Sequence, residues 1–390
     1  MNLRRYARAA RRAAWRAANF RAGRRLRIEP SKVVLSNFNG IGYGCNPKYI
    51  AEEILRRRLP WDLVWVTKTG ADLSGLPPTI RTVPIGSMKF LTEVRSARTW
   101  IANVSVERWR VQKHPKQFYL QTGHGSFGIK RVGLGANNAS IKRARRIQRE
   151  AADLDYFLSH SRFETGVYQE SFSYGHKVLE LGHARNDILF DEHPELVAKV
   201  RAYFGIPADT HIMLHVPSFR SSESIEAYDL DYLRALGALE ARFGGSWVAL
   251  ARFHPRTQGL ADSILAGHSS RVIDATRYDD IQELLLAADV AITDYSSCIF
   301  DFMLRRRPGF FYAPDVDHYH ESHGLYFPLE STPFPACRSN DELVEAVAAW
   351  DQDRYEDRVT EFLAARGSVE DGKAAARAVD LLEDLMASPM

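Results

Sequence analysis

The sequence predicts an α/β protein of two Rossmann-like halves preceded by a basic amphipathic helix, and three observations support this prediction. Short apolar, β-branched runs alternate with helix-like stretches from residue 32 onward. A charged segment, Asp191–Thr210, separates these runs into two groups. Residues 1–28 contain ten arginines and no acidic residue. Strands that alternate with helices are typical of parallel, doubly wound sheets.

Length and composition agree with this class. A chain of 390 residues suffices for two or three domains. With 45% hydrophobic and 26% charged residues, the composition excludes collagen, a coiled coil and bulk disorder. The cysteines Cys45, Cys298 and Cys337 show no C-x-x-C spacing, which argues against a zinc cluster or a disulfide scaffold and favours a reducing compartment. No apolar run approaches the ~18 residues of a membrane-spanning helix.

The basic head, residues 1–28, is predicted to be one amphipathic helix. Alanines and a few larger apolar residues fall on one side at helical spacing, and arginines fall on the other. The rest of the chain has 42 basic and 48 acidic side chains, so the excess positive charge lies in the head. Such a helix can lie on an anionic membrane, which favours a peripheral position at the cytoplasmic face of the cell membrane. A solvated helix, a mitochondrial transit peptide and a nucleic-acid arm are the alternatives, and nucleic acid is not the expected partner.

The apolar runs of the first half predict a domain over residues 30–190. Its expected strands are Val33–Leu35, Leu63–Val66, Ile80–Val83, Trp100–Val104, Phe118–Leu120, Tyr156–Leu158 and Val178–Leu181.

A second domain is predicted over residues 205–355, with a helical segment over 356–390 after it. The expected strands of this domain are Ile212–Val216, Trp247–Ala251, Val272–Ile273, Val290–Thr293 and Gly309–Tyr312. Helices are expected at Pro47–Arg58, Asp229–Arg242, Asp279–Ala288 and Asn340–Trp350.

Several common site motifs are absent from the sequence. Neither half has G-x-G-x-x-G after its first strand, and the glycines of Gly40–Gly44 have the wrong spacing for it. The sequence also lacks G-x-x-x-x-G-K-[ST], G-x-S-x-G and H-E-x-x-H. A nicotinamide enzyme and a P-loop NTPase are therefore disfavoured, and no cofactor or metal is expected.

The first candidate site motif is the segment Gln121–Arg131, which follows the strand Phe118–Leu120. Residues after the carboxyl end of a parallel strand face the ligand crevice. His124 lies there between two glycines, and an imidazole with a pKa near 6.5 suits a general base. Lys130 and Arg131 add positive charge for a phosphate. The alternative is a loop histidine that only caps a turn.

The second motif, Ala251–Pro255, places Arg252 and His254 at the end of another predicted strand. Proline stops the strand and fixes the loop, so the side chain of His254 would project at the rim. A histidine with only a structural role is the alternative.

The third motif, Thr293–Ser297, lies between a strand and a predicted helix. Asp294, Ser296 or Ser297 would cap this helix, whose first N–H groups form an anion site. A plain helix cap without a ligand is the alternative. Two weaker motifs are His215–Arg220, which includes Pro217 and Ser218, and Gly182–Asp187.

In order, these motifs resemble those of the CDP-glycerol glycerophosphotransferase family, the teichoic acid primases and polymerases of bacteria. The resemblance covers about residues 32–350 and is carried by Ser36–Phe38 with Asn46-Pro47, Tyr119–Gly125, Gly182–Asp187, Pro217–Arg220, Arg252–Pro255, Ile292–Ser297, Asp301-Phe302, Arg307-Pro308 and Gly324–Phe327. It implies a GT-B architecture, in which two Rossmann-like domains face each other across the site. It also implies no obligatory metal held by a D-x-D motif.

The resemblance further implies a donor and an acceptor. The donor would be CDP-glycerol or a related CDP-alcohol, and the acceptor a lipid-linked saccharide or a polyol-phosphate chain. His124 would deprotonate the acceptor hydroxyl, which attacks the β-phosphorus and releases CMP. A GT-B nucleotide-sugar glycosyltransferase and a non-catalytic nucleotide-binding membrane scaffold are the alternative functions.

Donor contacts are expected from the second half. Ser296 and Ser297, with the helix after Asp294, would hold the pyrophosphate, and Pro217 and Ser218 would lie beside it. His254 and Arg252 would neutralise its charge. Asp301 would reach the ribose hydroxyls.

Overall fold

A computed structural model describes residues 27–389 except 74, 138–139, 219–228, 254–264 and 266–269. The predicted amphipathic helix therefore lies outside the described residues apart from its last two positions. Within the described chain, no helix has both the length and the apolar character needed to cross a membrane.

The first half contains a seven-stranded parallel sheet in the order β3-β2-β1-β4-β5-β6-β7. Each apolar run predicted there overlaps one of its strands. The strands are β1 (Glu29–Ser36), β2 (Asp62–Thr67), β3 (Arg81–Pro84), β4 (Ala97–Ala102), β5 (Phe118–Gln121), β6 (Tyr156–Ser159) and β7 (Val178–Glu180).

The second half contains a six-stranded parallel sheet in the order β10-β9-β8-β11-β12-β13. The strands are β8 (Thr210–Val216), β9 (Ser246–Ala251), β10 (Val272–Asp274), β11 (Val290–Thr293), β12 (Gly309–Tyr312) and β13 (Ala336–Cys337). The last, a strand of two residues, was not predicted because it is too short to show an apolar run. The two parallel sheets confirm the predicted α/β class.

Helices lie between many of these strands. In chain order, the described helices are α1 (Cys45–Arg56), α2 (Met88–Ser96), α3 (Ile141–Asp153), α4 (Arg162–Phe172), α5 (Pro194–Phe204), α6 (Tyr232–Phe243), α7 (Ile281–Ala287), α8 (Cys298–Phe302), α9 (Val316–His323), α10 (Asn340–Ala348), α11 (Gln352–Ala365) and α12 (Ala374–Ala387). The charged connection between the halves, expected as a linker, contains α5, whose Val200 packs in the core of the second half.

The C-terminal segment links the two halves. Tyr355, Val359 and Phe362 of α11 pack in the apolar core of the second half. The next helix, α12, returns to the first half, where Val379 and Leu382 pack in the same core as α1. The closing segment is therefore two helices with different partners.

The strand order of each sheet indicates where a ligand would bind. The first sheet reverses direction of winding between β1 and β4, and the second between β8 and β11. Ligands of open α/β sheets bind beyond the carboxyl ends of the strands at such a switch point. The segments that follow these four strands, together with the loop after β5, carry the candidate site.

Candidate active site

The loop after β1 is held by two buried asparagines. The side chain of Asn103, which follows β4, donates to Oδ1 of Asn37 at 2.7 Å, and its own Oδ1 accepts from the backbone N–H of Phe38 at 2.8 Å. Asn37 in turn donates to the carbonyl of Ile41 at 2.7 Å. These bonds hold Phe38 in the left-handed region, at φ 44°, a strained conformation for a bulky residue. The loop therefore presents the exposed side chains of Phe38 and Ile41 in a fixed position.

His124 stands next to this loop. Its Nδ1 lies 2.9 Å from the backbone carbonyl of Asn103, and its ring meets that of Phe38 edge to face with 5.1 Å between centroids. A carbonyl only accepts, so Nδ1 carries the proton and Nε2 of the neutral ring keeps its lone pair. The preceding Gly123 has φ 61°, which glycine adopts without strain, and a methyl group placed on it would lie 3.1 Å from the ring of Phe157. The geometry gives His124 the tautomer of a general base.

The charge state of His124 follows from its surroundings. The side chain of His124 is exposed at the surface, but the surrounding protein removes part of its hydration, and this loss lowers the pKa of the imidazole. The positive charges of Arg185 and Lys130 lower this pKa further, while the bond to Asn103 opposes the change. His124 is therefore neutral at neutral pH.

On the facing side, Asp294 organises the ends of β8 and β11. Its two carboxylate oxygens accept from the backbone N–H of Ser218 at 2.8 and 2.9 Å, and one also accepts from the N–H of Tyr295. The ring of Tyr295 stacks on Tyr319 with 3.7 Å between centroids. Asp294 is buried and bonded to the backbone, so it fixes the loop containing Pro217 and Ser218.

Ser296 and Ser297 follow this anchored stretch, and both are partly exposed. Ser297 precedes α8, a helix of five residues, without using its side chain as a cap. A methyl group placed on Gly125 would lie 3.0 Å from Oγ of Ser297. The glycine-rich loop of the first half thus meets the serines of the second, and a side chain at position 125 would require Ser297 to shift.

The segment Gln121–Arg131 that carries His124, called the His124 loop below, continues into the second half. Phe127 and Ile129 are buried in the apolar core of the second sheet. The carbonyl of Ile129 accepts from the N–H of Tyr326 at 2.8 Å, and the N–H of Arg131 donates to the carbonyl of Gly324 at 3.1 Å. The chain that carries His124 is therefore anchored in both halves.

The two basic residues of this loop differ in position. The Nζ of Lys130 lies 3.3 Å from Oγ of Ser218, so its charge stands between the halves. Arg131 is exposed, and its guanidinium lies 5.8 Å from the ring of Tyr326. Of the two, only Lys130 lies beside a residue that the sequence predicts to bind the CDP-alcohol.

Arg252, at the end of β9, is held by backbone carbonyls. It donates to the carbonyl of Tyr278 and lies 3.4 Å from those of Ala275 and Asp279. Loss of hydration lowers the pKa of its guanidinium. His254 lies outside the described residues, so its role remains a prediction.

The environment of Asp301 differs from the one the sequence predicts. Its carboxylate is buried, and Arg185 donates Nε to Oδ2 at 3.0 Å and a terminal nitrogen to Oδ1 at 3.1 Å. The hydroxyl of Ser126 donates to Oδ1 as well. Both oxygens are occupied within the protein, so contact with ribose hydroxyls does not fit this geometry. The predicted helix after Asp294 does contain Asp301, but local spacing could not reveal a partner far away in sequence.

One group within the described chain has the residue types of a metal site: His160, Glu164 and His183. Oε2 of Glu164 lies 2.7 Å from Nδ1 of His160 and 3.2 Å from Nε2 of His183. The first is the distance of a charge-assisted hydrogen bond, and a proton accounts for it without an ion. Burial leads the effects that lower the pKa of His183 to about 4, whereas the carboxylate of Glu164 raises that of His160.

Two residues of the site had no role in the sequence-based prediction. Asn103 orients His124, and its signal was a polar residue within the predicted run Trp100–Val104, directly after the point where β4 ends. Arg185 belongs to the motif Gly182–Asp187, which was noted without a function. Both act through contacts between distant segments.

Comparison with known proteins identifies relatives of the whole chain. The family model described as CDP-glycerol:poly(glycerophosphate) glycerophosphotransferase matches residues 18–384. A teichoic acid poly(glycerol phosphate) polymerase of Staphylococcus epidermidis is 28% identical over 91% of this chain and 51% of its own length. A teichoic acid glycerol-phosphate transferase of Staphylococcus aureus is 29% identical over 88% of this chain and 91% of its own. The chain thus spans about half of the first relative.

The fold is also found among solved structures. A variant of the wall teichoic acid polymerase TagF aligns with a TM-score of 0.82 and 26% identity, covering 99% of this chain and 98% of that one. Another structure of TagF, a histidine-to-asparagine variant, was soaked with CDPG. This match shows that the two sheets form a fold of the GT-B type.

Proposed function

Because this chain belongs to the CDP-glycerol:poly(glycerophosphate) glycerophosphotransferase family, we propose that it transfers a polyol phosphate from a CDP-alcohol to an acceptor hydroxyl. Glycerol phosphate is the group proposed, and CMP is the product released. The acceptor is a lipid-linked saccharide or a growing polyol-phosphate chain of the teichoic acid type. The observation that carries this proposal is the meeting of the His124 loop with the serines that follow β11.

The proposed step needs a base on one side of the site and anion contacts on the other. The acceptor oxygen forms a bond to the β-phosphorus while the bond from that phosphorus to the oxygen of CMP breaks. The acceptor proton passes to Nε2 of His124, whose other nitrogen is held by Asn103. Transfer of this kind depends on positioning and on charge stabilisation. The contact between the halves supplies the positioning.

Donor binding is proposed to rest on the second half. Ser296 and Ser297 offer partly exposed hydroxyls that can donate hydrogen bonds to the pyrophosphate, and Lys130 brings a positive charge beside Ser218. Arg252 and His254 complete the set proposed from the sequence, together with Pro217. The charge-assisted contacts among these are the stronger ones, since an ionised partner about doubles the strength of a hydrogen bond.

The acceptor is proposed to come from the surface of an anionic membrane. The arginine-rich residues 1–28 supply the main argument, and each cation near such a surface adds about 1 kcal/mol. The helix α3, shortly after the His124 loop, exposes Lys142, Arg145, Arg146 and Arg149 beside the 76% exposed Ile141. This charge distribution supports the proposed peripheral position at the cytoplasmic face of the membrane.

Membrane binding is tested by sedimentation of the full chain with vesicles. We expect binding to anionic vesicles that weakens with salt and much less binding to neutral ones. Removal of residues 1–28 should weaken binding and leave CMP release with a water-soluble acceptor analogue unchanged. Equal binding to both vesicle types contradicts this part of the proposal.

The activity itself is tested by CMP release from a panel of CDP-alcohols and nucleotide sugars with the purified full chain. We expect turnover with CDP-glycerol or CDP-ribitol and a polyol phosphate in the product. Transfer from a nucleotide sugar, with no polyol phosphate in the product, would establish a glycosyltransferase instead. Binding of CDP-glycerol without CMP release in the presence of any acceptor would favour the scaffold.

A further inference from the structure

A buried polar cluster joins the two halves directly behind the candidate site. It consists of Ser126 from the His124 loop, Arg185 from the 3-10 turn Ala184–Leu189, and Asp301 from α8. All three are at most 3% exposed. Arg185 forms the two bonds to Asp301 described above and a third to Oγ of Ser126 at 2.8 Å. Each member therefore contacts the other two.

The cluster lies between the two functional segments. Ser126 is two residues beyond His124 on the same loop, and Asp301 is four residues beyond Ser297. The hydroxyl of Ser126 is also 3.1 Å from Nδ1 of His183, which adds a second connection to the first half. A displacement of α8 relative to the Arg185 turn would therefore move both the base and the serines.

Stability alone does not account for an ion pair at this place. Removing two charges from water costs several kcal/mol for each ion, and well-packed apolar residues often serve as well. A guanidinium fork, by contrast, fixes direction, because its planar donors meet a carboxylate in one orientation. Here one donor also reaches Ser126, so the fork orients the loop as well as the pair.

We propose that Arg185 and Asp301 are positioning residues, which hold Ser126 and thereby keep Nε2 of His124 at a fixed distance from the serines that follow β11. The proposal rests on the proposed function. Neither residue contacts substrate in this assignment. Their effect is on the geometry of the transfer step, where a misplacement of about 1 Å can cost about a hundredfold in rate.

The first test compares four variants of the full chain: Arg185→Lys, Arg185→Met, Asp301→Asn and Ser126→Ala. We expect kcat to fall about 10- to 100-fold in each, while the Kd of CDP-glycerol, measured by calorimetry, stays within about threefold. The lysine variant keeps the charge but cannot bond both Asp301 and Ser126, so charge alone should not rescue it. Equal losses in kcat and donor affinity would make these residues part of the donor site and overturn the proposal.

A matched control separates positioning from general stability. Lys48 forms another buried ion pair between the halves, 2.7 Å from Asp280 and 2.9 Å from Glu283. Lys48→Met should lower the thermal midpoint at least as much as Arg185→Met does, yet keep kcat within about threefold. If all variants that keep a cooperative unfolding transition also keep wild-type kcat, the proposal is wrong.

A second readout needs no turnover. The ¹⁵N chemical shifts of the His124 ring report which nitrogen carries the proton, and the peaks are assigned with His124→Asn. We expect the Nδ1–H tautomer in the wild type and a mixture of tautomers in Arg185→Met, because the loop no longer holds the ring against Asn103. An unchanged tautomer in that variant would overturn the proposal.

The same ¹⁵N shifts, followed as a function of pH, show in which direction the charge of Arg185 changes the pKa of His124. The charges that act on His124 are Arg185, Lys130 of its own loop and Glu164 of α4. Loss of the Arg185 charge should raise the pKa of His124, whereas Arg185→Lys should leave it close to the wild-type value. If the wild type releases CMP from no CDP-alcohol, the proposed function fails, but the tautomer still decides the positioning proposal.

Discussion

A single backbone carbonyl determines which nitrogen of His124 can act as a base. The bond from Nδ1 to Asn103 leaves the lone pair on Nε2, and the side chain of Asn103 holds the neighbouring loop through Phe38. One asparagine thus fixes both the proposed base and the residue beside it. Loss of hydration then keeps the imidazole neutral, as a base must be before it accepts a proton.

The first residue-scale prediction concerns the pH dependence of turnover. Because the pKa of His124 is lowered from 6.5 in the ligand-free protein, the acidic limb of the kcat/KM profile should have its midpoint below pH 6.5. His124→Asn should cut kcat by about 10²–10⁴-fold and remove that limb. His114→Asn, at an exposed histidine before β5, is the control. CMP release measured from pH 5 to 9 tests this prediction. An acidic limb that persists in the profile of His124→Asn would assign the base to another residue.

A second residue-scale prediction concerns the acceptor. An acceptor hydroxyl within hydrogen-bond reach of Nε2 brings its carbon skeleton against the ring of Phe38, 5.1 Å from the imidazole. Phe38→Ala should therefore raise the acceptor KM about fivefold, equivalent to about 1 kcal/mol of lost apolar contact, and leave the donor Kd unchanged. Phe190→Ala is the matched control, since Phe190 is 37% exposed and Phe38 is 40% exposed. Equal KM values for the two variants would rule out this contact.

At the scale of elements, the local sequence pattern predicts the strands, whereas contacts between distant segments determine how the elements pack. The strands could be predicted because apolar, β-branched runs mark each of them, and the carboxyl ends of parallel strands meet at one edge. That reasoning located His124 and Ser297 but not their neighbours. The pairing of Arg185 with Asp301 and the division of the last segment into α11 and α12 depend on contacts between segments far apart in sequence.

The helix α12 gives a prediction at this scale. Leu382 is fully buried where α12 packs on the first half. Leu382→Ala should lower the free energy of unfolding by about 2–5 kcal/mol, because it removes a side chain and leaves a cavity. The control is Leu233→Ala in α6, where the leucine is 48% exposed and the loss should stay within about 0.5 kcal/mol. Urea unfolding curves measure both, and equal losses would show that α12 does not stabilise the first half.

At the scale of the whole molecule, a polar connection runs from the C-terminal segment through the first half into the second. Oε1 of Glu370, between α11 and α12, accepts from the backbone N–H of His183 at 3.1 Å and from the side chain of Asn186 at 2.9 Å. The amide oxygen of Asn186 then accepts from Gln282 of α7 at 2.8 Å. The charge state of Glu370 therefore bears on contacts between three separate parts of the chain.

Burial raises the pKa of Glu370 from 4.5 to about 7. The folded protein thus holds a proton that the unfolded chain releases above about pH 4.5. The stabilising contribution of this group is full below pH 4.5 and is lost as the pH rises toward 7. Glutamine keeps the shape and the acceptor of the protonated acid but does not titrate, so Glu370→Gln removes this pH dependence.

We therefore expect Glu370→Gln to gain stability relative to the wild type as the pH rises from 4.5 to 7, with no further change above that window. Titrating groups that do not interact with Glu370 cancel in the difference, whereas His160, whose pKa Glu164 and Glu370 raise against the effect of burial, contributes to it. Glu361→Gln, at an exposed glutamate of α11, is the control. Urea unfolding at half-unit steps from pH 4.5 to 8 measures the effect. A difference that is flat for Glu370→Gln, or that favours the wild type as pH rises, would show that the carboxylate is already ionised in the folded protein and that the connection between the three segments is charged.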